Sequence, residues 1–354
     1  MITTPLTVER ASFSDPAVRE AWIMLQHAGA VSTPFLTWEW CGALAQVAEL
    51  VSASEVLLCR RDGRVTGLLP IEIVERQGLR TLGVAGWHWF TPDHLDVVST
   101  PDDRAEVALA IATHIAHRRD WDVLDFDALA ELAALTPALR SVLRRPRFVA
   151  RDDEQVVIRT CVLRPDGDAI ISKGSRKRLR RELRSVEEQG GSVEMLTRPD
   201  EVVDLLDTLM VMHNARFGDR STVFATDARR RFHRIAARQM SEAGQARIAR
   251  MRVGADDVAL SYQITWDNTI CFYSGGLRPD LGITPGFALR AWAMTQAAAE
   301  GYTAVDFLRG EHDWKARLAD GEVTDTRLRF VRVNPRAISA GVKSVIGRRL
   351  AEVH

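Results

Sequence analysis

Polar groups crowd into one short segment, Asp306, Arg309, Glu311, His312, Asp313 and Lys315, at the end of and directly after the run Tyr302 to Phe307. The run reads as a strand and Gly310 as a turn. A strand end feeding a turn is where open α/β sheets hold functional side chains rigidly beside an accessible loop. Glu311 and Lys315 stand four apart, so an exposed ion pair is the alternative use for them.

A second candidate is the helix start Thr284-Pro285-Gly286. Thr284 can cap it, Pro285 has the φ favoured at the first helical position, and Gly286 leaves the backbone bare to a ligand. Unpaired amides and the positive end of the helix dipole suit a phosphate or pyrophosphate, although a well-capped helix without a ligand reads the same way. His213, Asn214 and Arg216 end an otherwise apolar helix, where His213 is either an acid or base or a packing residue. Tyr273, in a strand before Gly275-Gly276, can offer its hydroxyl to a cleft or bury it. Lys173 to Arg184 carries seven basic residues against one acidic, Glu182, which fits a phosphorylated ligand, an RNA backbone or a solvated helix face. Trp87-His88-Trp89-Phe90 with Pro92-Asp93-His94 is either an aromatic wall for a sugar or base, with Trp89 and Asp93 as contacts, or core.

The elements that must position these groups occur twice. Leu57 to Ile71 reads as strand, glycine turn and strand, and Trp121 to Phe126 as a later strand ending in Asp-Phe. Ile248 to Tyr262 repeats the hairpin, and Tyr302 to Phe307 again ends in Asp-Phe. Apolar spacing predicts helices over 16–30, 37–50 (capped by Thr37), 102–118, 128–144, 172–189, 201–217, 227–243 and 285–300, with further strands over 246–253, 258–266, 269–275 and 326–333. Strands feeding long helices predict an α/β (α+β) fold in which each half is a mixed, mainly antiparallel sheet covered by helices. The expected divisions are residues 1–165, 166–335 and an amphipathic helix over 336–354, which either packs on the domain or makes a peripheral membrane or partner contact.

Lysine plus arginine (47) balance aspartate plus glutamate (47), so no global field draws the chain to DNA or an anionic membrane. Cys41, Cys59, Cys161 and Cys271 lack C-x-x-C spacing and read as buried thiols. His114 and His117 have no carboxylate or cysteine partner in view, so no metal site is expected. Neither a secretory leader nor a membrane-spanning run stands out, which makes a cytoplasmic protein the expectation. P-loop, dinucleotide, nucleophile-elbow and zincin signatures are absent from the sequence.

Ser172-Lys173 with the arginine-rich helix, Met212 to Phe217, Arg231-Phe232-His233, Gly282 to Gly286 and Val305 to Gly310 together resemble the CelD-like (cellulose biosynthesis protein) branch of the GNAT acyltransferases. Phe35 to Trp40, the Asp62-Gly63 hairpin and Asp93 to Asp96 extend the likeness through the first half. That branch resembles the Fem aminoacyltransferases, which also carry two GNAT domains. The resemblance implies tandem GNAT-like domains, the second catalytic and the first shaping the substrate. It implies acyl transfer, usually from acetyl-CoA or another acyl-CoA and without a metal, to a small-molecule amine, often on a sugar or cell-envelope precursor. Gly282, Thr284, Gly286 and Arg278 would then hold the donor. Asp306, Glu311, Arg309 and Lys315 would line the acceptor site, with Arg216, Trp89 and Asp93 as further substrate contacts. Glu311 or His213 would act as base and Tyr273 would protonate the leaving group. Pro285 removes one amide from the helix start, so an aminoacyl-tRNA donor on the 173–184 helix stays open. So does a non-catalytic role in an envelope polysaccharide machinery.

Overall fold

The computed structural model describes residues 4–51, 54–151, 153–164, 172–218, 222–278 and 285–339. The chain packs as two units, 1–156 with 324–354, and 157–323. In chain order the first unit contributes β1 (Thr7–Ala11), α1 (Pro16–His27), α2 (Trp38–Ala45), α3 (Ala48–Val51), β2 (Ser54–Arg61), β3 (Arg64–Arg76), β4 (Leu79–Val84), α4 (Trp87–Phe90), β5 (Val98–Ser99), α5 (Arg104–His117), β6 (Val123–Leu129), α6 (Leu135–Val142) and β7 (Phe148–Ala150). After β8 (Glu154–Val162) come α7 (Lys173–Glu188), β9 (Ser192–Leu196), α8 (Pro199–Phe217), α9 (Asp227–Glu242), β10 (Ala246–Val253), β11 (Asp256–Trp266), β12 (Thr269–Leu277), α10 (Pro285–Ala299), β13 (Ala304–Asp306), α11 (Asp313–Leu318) and β14 (Gly321–Arg332).

The two sheets have the same diagram. The first runs β1-β2-β3-β4-β6-β14 and the second β9-β10-β11-β12-β13-β8. In each, four strands form an antiparallel meander, the fifth joins parallel (β4 to β6, β12 to β13), and the sixth is antiparallel. Each is thus a mixed, mainly antiparallel sheet under helices, as the repeated hairpins predict. The sixth strands break the simple repeat. β8, which follows the first copy in sequence, completes the second sheet, and β14, which follows the second copy, completes the first. Arg327 of β14 secures its place by donating from Nε and Nη2 to the two Asp125 carboxylate oxygens of β6, each at 2.7 Å. Eight consecutive residues of β11, Val258 to Thr265, are buried, which requires both faces of its sheet to be covered. α7 and α10 share one hydrophobic cluster with the strands, and α8 packs on β12 and α9.

Several local expectations hold. Thr37 caps α2 by accepting from Trp40 N at 3.3 Å, and Ser172 caps α7 by accepting from Ser175 N at 3.2 Å. All four cysteines are buried free thiols. Others are corrected. The helix expected over 128–144 is only α6: Leu129 still pairs with Thr326 in the sheet, and the Asp96 carboxylate accepts from Ala134 N (3.0 Å) and Leu135 N (3.1 Å), fixing the start there. β1, β4 and β9 were not among the expected strands. Residues 340–354 of the expected C-terminal helix lie outside the described residues.

Candidate functional site

β12 and β13 pair over three positions only, Thr269–Cys271 against Ala304–Asp306. Beyond them β12 continues along β11 while the chain after Asp306 turns away. Between the diverging ends lies a cavity of about 260 Å³, lined by Phe272 to Gly275 on one side and Phe307 to Arg309 on the other, with His213, Arg216, Arg290, His312, Trp314 and Lys315 around them.

Each wall is built by an identifiable device. On β12, Tyr262 faces Ser274 while Gln263 faces Phe272, so the register skips Tyr273 and the strand bulges at the cavity. A bulge re-aims side chain and backbone together, which is why such features gather at sites. The Tyr273 ring lies 5.4 Å from that of His233 and 5.8 Å from that of Tyr262. Opposite, the chain is held in an unfavourable conformation: Leu308 has φ +55°, a region costing a residue with a Cβ about 1–2 kcal/mol. Asp306 offsets this by accepting from Leu308 N at 2.6 Å. The buried Lys315 ammonium donates to Leu308 O at 2.8 Å and Arg309 O at 2.7 Å. Asp306 and Lys315 thus shape the loop.

His213 arrives from α8. A Cβ on Gly276 would stand 2.8 Å from Met212 Cβ and 3.1 Å from Leu209 O, so only glycine lets α8 approach β12 this closely. At that distance His213 Nδ1 meets Gly275 O at 3.3 Å. A proton placed on Nδ1 by that contact leaves Nε2 as the acceptor. Burial lowers the His213 pKa; the Gly275 carbonyl opposes this and the Arg216 charge adds to it. The imidazole is therefore neutral at neutral pH and able to take a proton. His312 is lowered too, by burial first and then by Lys315, Arg290 and Arg216, with Asp313 opposing.

Arg290 is the site residue that sequence reasoning missed. It is the one charged residue of α10, an isolated cation in an apolar helix, and that was the available signal. Its guanidinium lies 4.0 Å over the Trp314 ring and donates from Nη1 to Gly286 O at 2.9 Å. Desolvation, with a contribution from Arg216, pushes its pKa down to about 10.

Of the residues expected at the site, His213, Arg216, Tyr273, Arg309 and Lys315 come together in this cavity. Glu311 does not line it; it is exposed, in a neighbouring groove with Val157, Arg159 and Asp313. Asp306 sits beneath the loop, and Arg278 is exposed and paired with Asp256 at 3.2 Å. Gly286 is buried, not bare: a Cβ there would meet Leu277 Cδ1 at 2.8 Å and Arg290 Nη1 at 3.0 Å, so glycine serves close packing. Gly282 and Thr284 lie outside the described residues. Trp89 and Asp93 belong to the first unit, where Asp93 is buried and its carbonyl accepts from Thr33 Oγ1 at 3.1 Å. Among the described residues no cluster of metal-ligating side chains occurs, and no helix is long and apolar enough to cross a membrane.

Residues 173–316 match the model of the acetyltransferase (GNAT) domain. No curated protein matches the sequence. Among solved structures, FemX is similar at 12% identity and a TM-score of 0.58, over 86% of this chain and 94% of that one. The L-PGS of Bacillus licheniformis is similar at 13% identity and 0.57, over 92% and 94%. The C-terminal domain (DUF2156) assigned to a lysylphosphatidylglycerol synthetase of Agrobacterium fabrum follows at 12% and 0.57, over 92% and 95%. At such identities the likeness is one of fold. Over residues 173–316 the chain is similar to the acetyltransferase (GNAT) domain, and this match supports an acyltransferase.

Proposed function

We propose that this protein is an acyl-CoA-dependent N-acyltransferase of the CelD-like branch, acting on an amine of a sugar or cell-envelope precursor. The observation that carries this reading is the neutral His213 beside the bulge of β12 in the cavity between β12 and β13. His213 Nε2 takes the proton of the acceptor amine as its nitrogen bonds to the thioester carbonyl carbon. Backbone amides of the bulged segment face the developing oxyanion, and preorganised donors there stabilise it. The Tyr273 hydroxyl gives a proton to the departing thiolate as the C–S bond breaks. Asp306 and Lys315 keep the 308–309 backbone in place.

Thermal-shift titration with acetyl-CoA and longer acyl-CoAs should stabilise the protein, and His213→Gln should lower kcat/KM at least about 100-fold, the usual contribution of a general base. Full turnover in that variant overturns the assignment. A second reading, an aminoacyl-tRNA donor, is favoured by the open groove along α7 lined by Lys177, Arg178, Arg180, Arg181 and Arg184. Stabilisation by aminoacyl-tRNA with silence toward every acyl-CoA selects it.

A further inference from the structure

α7 concentrates positive charge that the chain as a whole lacks: residues 173–184 hold seven basic residues against one acidic, in a chain of zero formal net charge. Leu179 and Val186 of α7 pack into the core it shares with α10, while Lys177, Arg180, Arg181 and Arg184 are exposed on the other side. The one acid, Glu182, is already shared, 3.2 Å from Arg181 and 3.9 Å from Arg178. Lys177, Arg180 and Arg184 form no ion pair among the described residues. With Arg178 and Arg181 they line an open groove of about 1000 Å³. Positions 177, 180, 181 and 184 stand three and four apart and so make one stripe over two turns, about 10 Å of helix axis. Like charges at that spacing repel unless an anion is set against them.

Two observations decide the kind of anion. The stripe is short. Exposed Glu187 and Glu188 stand three and four residues beyond Arg184 and continue it with the opposite charge, so an extended polyanion would run on into repulsion where the clustered phosphates of one nucleotide would not. The groove also adjoins the candidate cavity: the Arg178 guanidinium lies 4.5 Å over the Phe287 ring, and Arg290, which lines the cavity, is three residues further along α10. We propose that the α7 groove seats the 3′-phosphate and diphosphate of the acyl-CoA donor, with the pantetheine arm spanning from Arg178 to the cavity. This rests on the acyl-CoA reading and assigns a site to the nucleotide end of that donor. Lys177, Arg180 and Arg184 supply charge-assisted hydrogen bonds, and the arginine forks match phosphate oxygens.

Isothermal titration calorimetry on the full chain with acetyl-CoA and 3′-dephospho-acetyl-CoA tests this. Wild type should bind acetyl-CoA several-fold more tightly than the 3′-dephospho form. The triple variant Lys177→Gln, Arg180→Gln, Arg184→Gln changes exposed side chains only; it should bind acetyl-CoA at least about tenfold more weakly and lose the preference between the two donors. Arg180→Lys with Arg184→Lys should retain part of the affinity. Equal affinity of wild type for the two donors, a comparison that needs no variant, overturns the proposal, and so does acetyl-CoA binding unchanged in the triple variant. Either result leaves the acyltransferase reading standing. A wild-type protein that binds aminoacyl-tRNA and no acyl-CoA removes both, so the two failures are told apart.

Discussion

At His213, burial and the Arg216 charge lower the pKa while the Gly275 carbonyl raises it. Acting as the proposed base, His213 must be neutral, so the acid limb of kcat/KM should lie below the ordinary histidine value of about 6.5. Arg216→Met removes a cation that disfavours protonation, and the limb should move to higher pH. A pH–rate profile checks this, and an unmoved limb would detach the rate from His213. His213, Tyr273, Arg216, Arg309 and Lys315 were legible in the sequence because each stands beside a strand end or helix end whose pattern is strong. Arg290 was not, because its importance comes from Trp314 and Gly286 closing around it. Glu311 illustrates the reverse: sequence proximity to Lys315 says nothing about which side of the loop each faces, and only Lys315 turns inward.

α9 presents a different constraint. His233 is fully buried between Phe224, Phe232 and Tyr273, and desolvation lowers its pKa to about 3 against a backbone interaction with Val223 that raises it. As pH falls through the unfolded value of about 6.5, the unfolded chain binds a proton that the native state does not, so stability present above 6.5 is progressively lost toward pH 3. From this residue the loss by pH 5 should be about 2 kcal/mol relative to neutral pH, at about 1.4 kcal/mol per unit. His233→Phe keeps the ring contacts and should flatten that dependence. Urea unfolding at pH 7 and pH 5 decides it, and equal slopes in the two proteins would show that another group titrates. Most helices and the central meander strands β2, β3, β10, β11 and β12 were readable from apolar periodicity, while β1, β4 and β9 were not. α6 was not, since its start is set by the carboxylate of Asp96, 38 residues before Ala134.

The completed sheets carry the last expectation. A fragment cut at the sequence repeat, 166–335, lacks β8 and leaves β13 with an open edge, a template for aggregation. A fragment over 154–323 keeps β8 and drops most of β14. We expect the second to be soluble and stabilised by acetyl-CoA and the first to aggregate; light scattering and thermal shift measure both, and two equally well-behaved fragments would mean β8 is dispensable. The repeated hairpins, helix caps, buried thiols and the polar segment near residue 310 could all be read from the chain, because hydrophobic period and turn chemistry act over a few residues. Which strand completes which sheet, which side of the 306–315 loop faces inward, and the gathering of Arg216 and Arg290 around one cavity came from packing. Those choices depend on partners far apart in sequence, such as Arg327 with Asp125, whose pairing no local pattern encodes.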